Sequence, residues 1–150
     1  MKSLLLLLCC CSWLSGLGQE INDLKVGVAK VNITPPVPIP MSGYGSRQDV
    51  YQGIHDSLYA FAVVFDDGSV QAALITADLI GFSNEFSGGM HRAIQQRTGI
   101  PAVNVLLAAT HNHGGPRNNT YGNSEDHRIS DYVNLVHNRI IEAVEKASNN

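Results

Sequence analysis

LYAFAVVFDDGSVQAALIT, residues 58–76, sets two apolar, β-prone runs on either side of Asp66-Asp67-Gly68. Residues 58–65 and 70–76 are each of strand length, and the glycine in the break supplies the positive φ that a tight turn requires. The stretch predicts an antiparallel hairpin. Beyond it, residues 84–98 carry Phe86, Met90, Ile94 and Arg97 at helical spacing, and Gly99-Ile100-Pro101 ends the helix. Gly88-Gly89 weakens the first part of that helix. Residues 103–109, VNVLLAA, are apolar on both faces, which predicts a strand buried in the middle of a sheet.

Upstream of the hairpin, residues 25–33 alternate Val26, Val28 and Lys30, with Val31 and Ile33 in a second phase, as a short strand does. The following TPPVPIPMSGYGS holds Pro35, Pro36, Pro38 and Pro40, which remove backbone donors and fix φ, so it is extended and non-helical. Too little chain precedes it for a linker between domains. From Ile129 the series Tyr132, Val133, Val136, Ile140, Val144 and Ala147 marks an amphipathic helix. Strand, long loop, hairpin, helix, strand, loop and helix in this order give an α/β fold with a mixed β-sheet layered with helices.

With 150 residues, 44% hydrophobic and 15% charged, the chain suits one globular domain. A net charge of −3 with no basic stripe excludes the electrostatic footprint of a nucleic-acid binder. Residues 1–18, MKSLLLLLCCCSWLSGLG, place Lys2 before an unbroken apolar run and end in small residues. They read as a signal peptide cut after Gly18, and hence predict a secreted or periplasmic protein. Cys9, Cys10 and Cys11 all lie within that segment, so residues 19–150 carry neither thiol nor disulfide and rely on the core or on bound metal. Two sequons, at Asn32 and Asn118, matter only in a eukaryotic secretory pathway, and a chain of this length carries that many by chance as readily as by design.

The apolar run at 103–109 delivers ATHNHGGP, residues 109–116. In an extended chain His111 and His113 face one side and Asn112 the other. The crevice beyond the carboxyl ends of strands is where α/β sheets form sites. By spacing alone three readings stand: both imidazoles bind one metal, one binds it while the other acts on substrate, or both merely hydrogen-bond the loop. Asp78, ending the neighbouring apolar run, is a candidate oxygen donor or imidazole partner, and His55 a further candidate histidine. Gly115 and Pro116 follow the pair where a metallo-β-lactamase needs Asp and His, and the chain is too short for an amidohydrolase barrel.

ATHNHGGP resembles the GTHTHSGPGG signature of the neutral/alkaline non-lysosomal ceramidase family. Further blocks agree in order: VGVAKVNITPPV, MSGYGS, GIHDSLYAFAVVF and ALITADL are similar to that family's opening segments, over about residues 26–146. The resemblance implies a zinc amidase that cleaves the N-acyl bond of ceramide to sphingosine and a fatty acid. It implies His111 as a zinc ligand, His113 as the catalytic group for proton transfer or hydrogen bonding, and Gly43 beside the substrate pocket. Asp78 becomes a supporting residue and His55 a structural one, while His91, His127 and His137 are solvated. A lipid amide such as ceramide is the implied partner, with contact to a membrane surface or micelles.

Departures from the signature are Gly114 for Ser, Asn112 for Thr and Arg117 for Gly, with Ser57 and Phe61 in place of arginines. In the family, a second histidine, a glutamate, a tyrosine and an active-site serine complete the site further along the chain. Residues 19–150 are therefore expected to be the N-terminal part of a larger catalytic domain, inactive alone. The rival readings are a short secreted binding module that keeps the fold without catalysis, and a related hydrolase with a different substrate.

Overall fold

The computed structural model describes residues 23–45, 47–118 and 126–150, so the signal-peptide expectation for residues 1–18 falls outside the described residues. Strands β1 (Lys25–Asn32), β2 (Tyr59–Asp66), β3 (Gln71–Ala77) and β4 (Val105–Ala109) form one sheet in the order β1-β2-β3-β4. Helix α1 (Asn84–Thr98) connects β3 to the parallel β4, and α2 (His127–Ser148) closes the described chain. The other two pairings are antiparallel, so the sheet is mixed as expected.

The hairpin turns where the sequence places it. Gly68 takes φ 83°, and one oxygen of Asp67 accepts the backbone N–H groups of Ser69 and Val70. Helix α1 runs through Gly88-Gly89. Its start is capped by Ser83, whose hydroxyl accepts the Phe86 N–H, and Met90 and Ile94 are fully buried. These gains outweigh the roughly 1 kcal/mol that each of the two helical glycines costs relative to alanine. At its other end Gly99 adopts φ 81° and returns its N–H to Gln95, the left-handed stop that glycine tolerates.

One sheet face is built of small residues. The register aligns Gly27, Val64, Ala73 and Val105 in one row, and Val31, Ala60, Ala77 and Ala109 in another. Short side chains let α2 lie close across β1 and β2, where Tyr132, Val136, Ile140 and Val144 complete the core, with α1 packed alongside. On β1 the buried phase is thus Gly27, Ala29 and Val31, leading to Ile33. Val26 and Val28 point outward with Lys30, whose ammonium sits 3.6 Å above the Tyr59 ring.

Strand β4 departs from expectation. It is an edge strand, paired to β3 alone among the described residues. Its two-faced apolarity comes from Leu107 packing against the core while Leu106, 62% exposed, ends an outer row of Val28, Val63 and Leu74 that crosses the whole sheet. Hydrophobicity on both faces therefore reports the outer face of the sheet here, rather than a strand flanked on both sides.

Candidate active site

Parallel β3 and β4 end side by side, and the chains leaving them are tied together. The Thr110 N–H donates to Ala77 O and the His111 N–H to Leu79 O, each at 3.0 Å. The proline-rich segment supplies the third wall. Met41 bridges to Pro116, Ser42 donates through both its N–H and its hydroxyl to Gly115 O, and the Arg117 N–H returns to Pro40 O. Residues near 42, 80 and 113 thus surround one opening at the carboxyl ends of the strands, the position such sheets favour for sites.

The histidines meet for a reason other than strand alternation. Strand β4 stops at Ala109, and His111 sits at φ 58°, in the left-handed region that costs an L-residue about 1–2 kcal/mol. That turn leaves the two rings 5.3 Å apart. Nδ1 of His111 lies 2.8 Å from Ile80 O. Because a carbonyl only accepts, Nδ1 carries the hydrogen, and in the neutral ring Nε2 is then the nitrogen with the lone pair. A neutral imidazole anchored in this way has the tautomer and fixed orientation of a metal ligand.

His113 lines a cleft of about 570 Å³ together with Met41, Tyr44, Phe82, Arg47 and Arg117. Its ring stands edge-on to Tyr44 at 5.0 Å, and its carbonyl accepts from Arg47 Nη1 at 2.9 Å. Gly43 lies directly against it. A Cβ there would fall 2.6 Å from His113 Cγ, and the backbone has φ 80°, so both space and conformation call for glycine. Arg47 is itself fixed by two bonds to Asp49; its hydrogen bond holds that carboxyl below the usual range and raises the guanidinium.

Other candidate residues lie elsewhere. Asp78 accepts the Tyr59 N–H at 2.9 Å and so pins the start of β2; its recorded bond goes to no imidazole. Burial pushes the Tyr132 phenol above its ordinary range, with a further push from the Asp78 carboxylate. His55 is a correction to its structural reading: the side chain is 98% exposed and, among the described residues, pairs only with Asp56, whose hydrogen bond raises its pKa. Asp78 and His55 border a second cleft of about 460 Å³, into which Asn112 turns on the far side of the histidine loop. His127 is exposed as expected, whereas His137 is half-buried and stands edge-on to Phe86, and His91 is half-buried. Of the sequons, Asn118 is 7% exposed and donates to Gly81 O, so its amide is committed to the fold.

Among the described residues no three His, Cys, Asp or Glu side chains converge to enclose an ion. The donor chemistry fits a metal at His111 alone, with His113 beside it. Sequence reasoning missed Tyr44, Arg47 and the cleft position of Arg117. Tyr44 was within reach, since it belongs to the same GY block as Gly43. Arg47 carried no local signal, because its bond to His113 O spans 66 positions.

Comparison with known proteins adds the family. A neutral ceramidase of Drosophila pseudoobscura pseudoobscura is 36% identical over 108 residues, covering 69% of this chain and 15% of the relative. The Drosophila melanogaster neutral ceramidase is 35% identical over 96 residues, covering 61% of this chain and 14% of the relative. The chain therefore spans about 15% of the length of the curated relatives it matches. Two solved structures share the fold at 23% identity, each over 84% of this chain and 21% of the neighbour. They are a ceramidase complexed with C2, with TM-score 0.69, and the neutral ceramidase from Pseudomonas aeruginosa, with TM-score 0.70. The family profile described as "Neutral/alkaline non-lysosomal ceramidase, N-terminal" matches residues 24–150, and by that match the chain belongs to the neutral/alkaline non-lysosomal ceramidase family.

Proposed function

We propose that the chain supplies the first zinc ligand and the substrate cleft of a secreted zinc-dependent amidase, acting on ceramide or a related lipid amide. The observation that carries this is the anchored imidazole of His111, with Nδ1 held by Ile80 O, next to His113 at the cleft. His111 would hold zinc through Nε2, and the remaining ligands would come from beyond the described residues. Bound zinc supplies a polarised amide carbonyl and a water of lowered pKa. His113, held against Gly43 and Tyr44, would donate a proton or a hydrogen bond at the amide. Met41, Ile80 and Phe82 give the cleft an apolar side suited to an acyl chain. Export follows from the signal-like residues 1–18, and an apolar substrate implies working at a membrane surface or micelle.

A polypeptide of family length carrying this segment should hydrolyse a short-chain ceramide, lose that activity on chelation and regain it with added zinc. Activity that persists after complete metal removal would sink the zinc assignment. Zinc-independent binding of the lipid amide with no release of fatty acid would instead establish the non-catalytic binding module.

A further inference from the structure

The cleft beside His113 holds two guanidinium groups and, among the described residues, no carboxylate in its lining. The two arginines differ in how far their donors are committed. Arg47 gives Nε and Nη2 to Asp49 and Nη1 to the carbonyls of His113 and Ser42, so its charge and its hydrogens are spent on the fold. Arg117 carries one recorded side-chain bond, Nη2 to Arg47 O at 3.3 Å, and its partner is a neutral carbonyl. Its Nε and Nη1 have no acceptor among the described residues, although the side chain is only half-exposed. A planar cation with an open edge, partly withdrawn from water, is suited to bidentate recognition of an oxyanion.

Position 117 is also where the resembling signature has glycine, which brings neither charge nor side chain. We propose that Arg117 is a specificity-determining residue that makes the cleft select amides bearing an anionic group, a phosphate, sulfate or carboxylate, on the part of the molecule lying beside His113. This rests on the amidase reading for the amide, and on Arg117 alone for the anion. On this reading the neutral half of the substrate lies against Met41, Ile80 and Phe82 and the anionic group meets Arg117, all of which line the same cleft as His113.

Equilibrium binding to the whole chain separates the two parts, with three probes: a short-chain ceramide below its micelle concentration, the same ceramide carrying a 1-phosphate, and inorganic phosphate. The phosphorylated amide should bind about tenfold or more tighter than the neutral one, as expected for charge-assisted hydrogen bonds. The ratio should fall as ionic strength rises. Arg117→Gln should collapse the ratio to about one, and Arg117→Lys should restore part of it, with unchanged circular dichroism in both. Equal affinities in the wild type, or a ratio that survives Arg117→Gln, would overturn the proposal. Inorganic phosphate binding that is lost in Arg117→Gln, with neither amide bound, would keep the anion site and remove the amidase reading. Failure of all three probes to bind overturns both.

Discussion

His111→Asn is expected to strip zinc and amide hydrolysis from a polypeptide of family length, while leaving the fold within about 0.5 kcal/mol of wild type. His111→Ala should lose the same activity and about 1 kcal/mol of stability besides. The difference lies in the backbone. His111 has φ 58°, a conformation asparagine adopts readily and alanine resists. Both variants keep the backbone bond from position 111 to Leu79 O, and both lose the imidazole that Ile80 O orients. Comparing the two separates the ligand from the turn. Metal content by atomic absorption, release of fatty acid and urea denaturation together read the outcome. An asparagine variant that retains zinc would refute the assignment of His111 as ligand.

Gly27→Ala is expected to cost about 3 kcal/mol, at the upper end of what overpacking a core inflicts. A methyl group at Gly27 would fall 1.8 Å from Ala147 O and 2.8 Å from Ala147 C, both backbone atoms of the last turn of α2. A flexible side chain could swing aside, but a helical carbonyl moves only with its helix. Because α2 covers β1 and β2 through Tyr132, Val136, Ile140 and Val144, lifting its end opens the main core. Gly45→Ala is the matched control, since nothing among the described residues lies within 4 Å of its Cβ position, and it should stay within about 0.5 kcal/mol. Urea midpoints measured at constant m-value test the pair. A loss below about 1 kcal/mol in Gly27→Ala would mean that the strand and helix approach less closely than described.

What the sequence disclosed divides by range. The hairpin at Asp66-Asp67-Gly68 and the stop of α1 at Gly99 depend on residues a few positions apart, and local turn chemistry is enough to read them. The amphipathic stripe of α2 was equally legible, because burial repeats along one helix. Strand β4 was misplaced, since apolar residues on both faces do not say which neighbours cover them. The phase of β1 was similarly ambiguous. Val26 and Val28 look like core residues, yet the small Gly27 and Ala29 face inward to admit the helix. At the site, the pairing of His111 with His113 was anticipated from strand alternation but arises from a left-handed turn. The approach of Gly43 to His113 and the clamp of Arg47 join distant parts of the chain, and no short-range pattern encodes them.

Those same distances carry a consequence for how the cleft comes into being. Its walls are joined by Ser42 to Gly115, Arg47 to His113 and Arg117 to Arg47, bonds that close loops of 73, 66 and 70 positions. The hairpin beneath them forms from neighbours in the chain and can appear early. Contacts of such long span must wait until the entropy of ordering the intervening chain has been offset by the sheet and its helices. The proline-rich wall is seated in the core through Ile39, but from Ser42 onward it is held to the histidine loop by a few hydrogen bonds, and that part is accordingly late to assemble and early to open. The molecule can therefore keep its native secondary structure after the cleft has come apart.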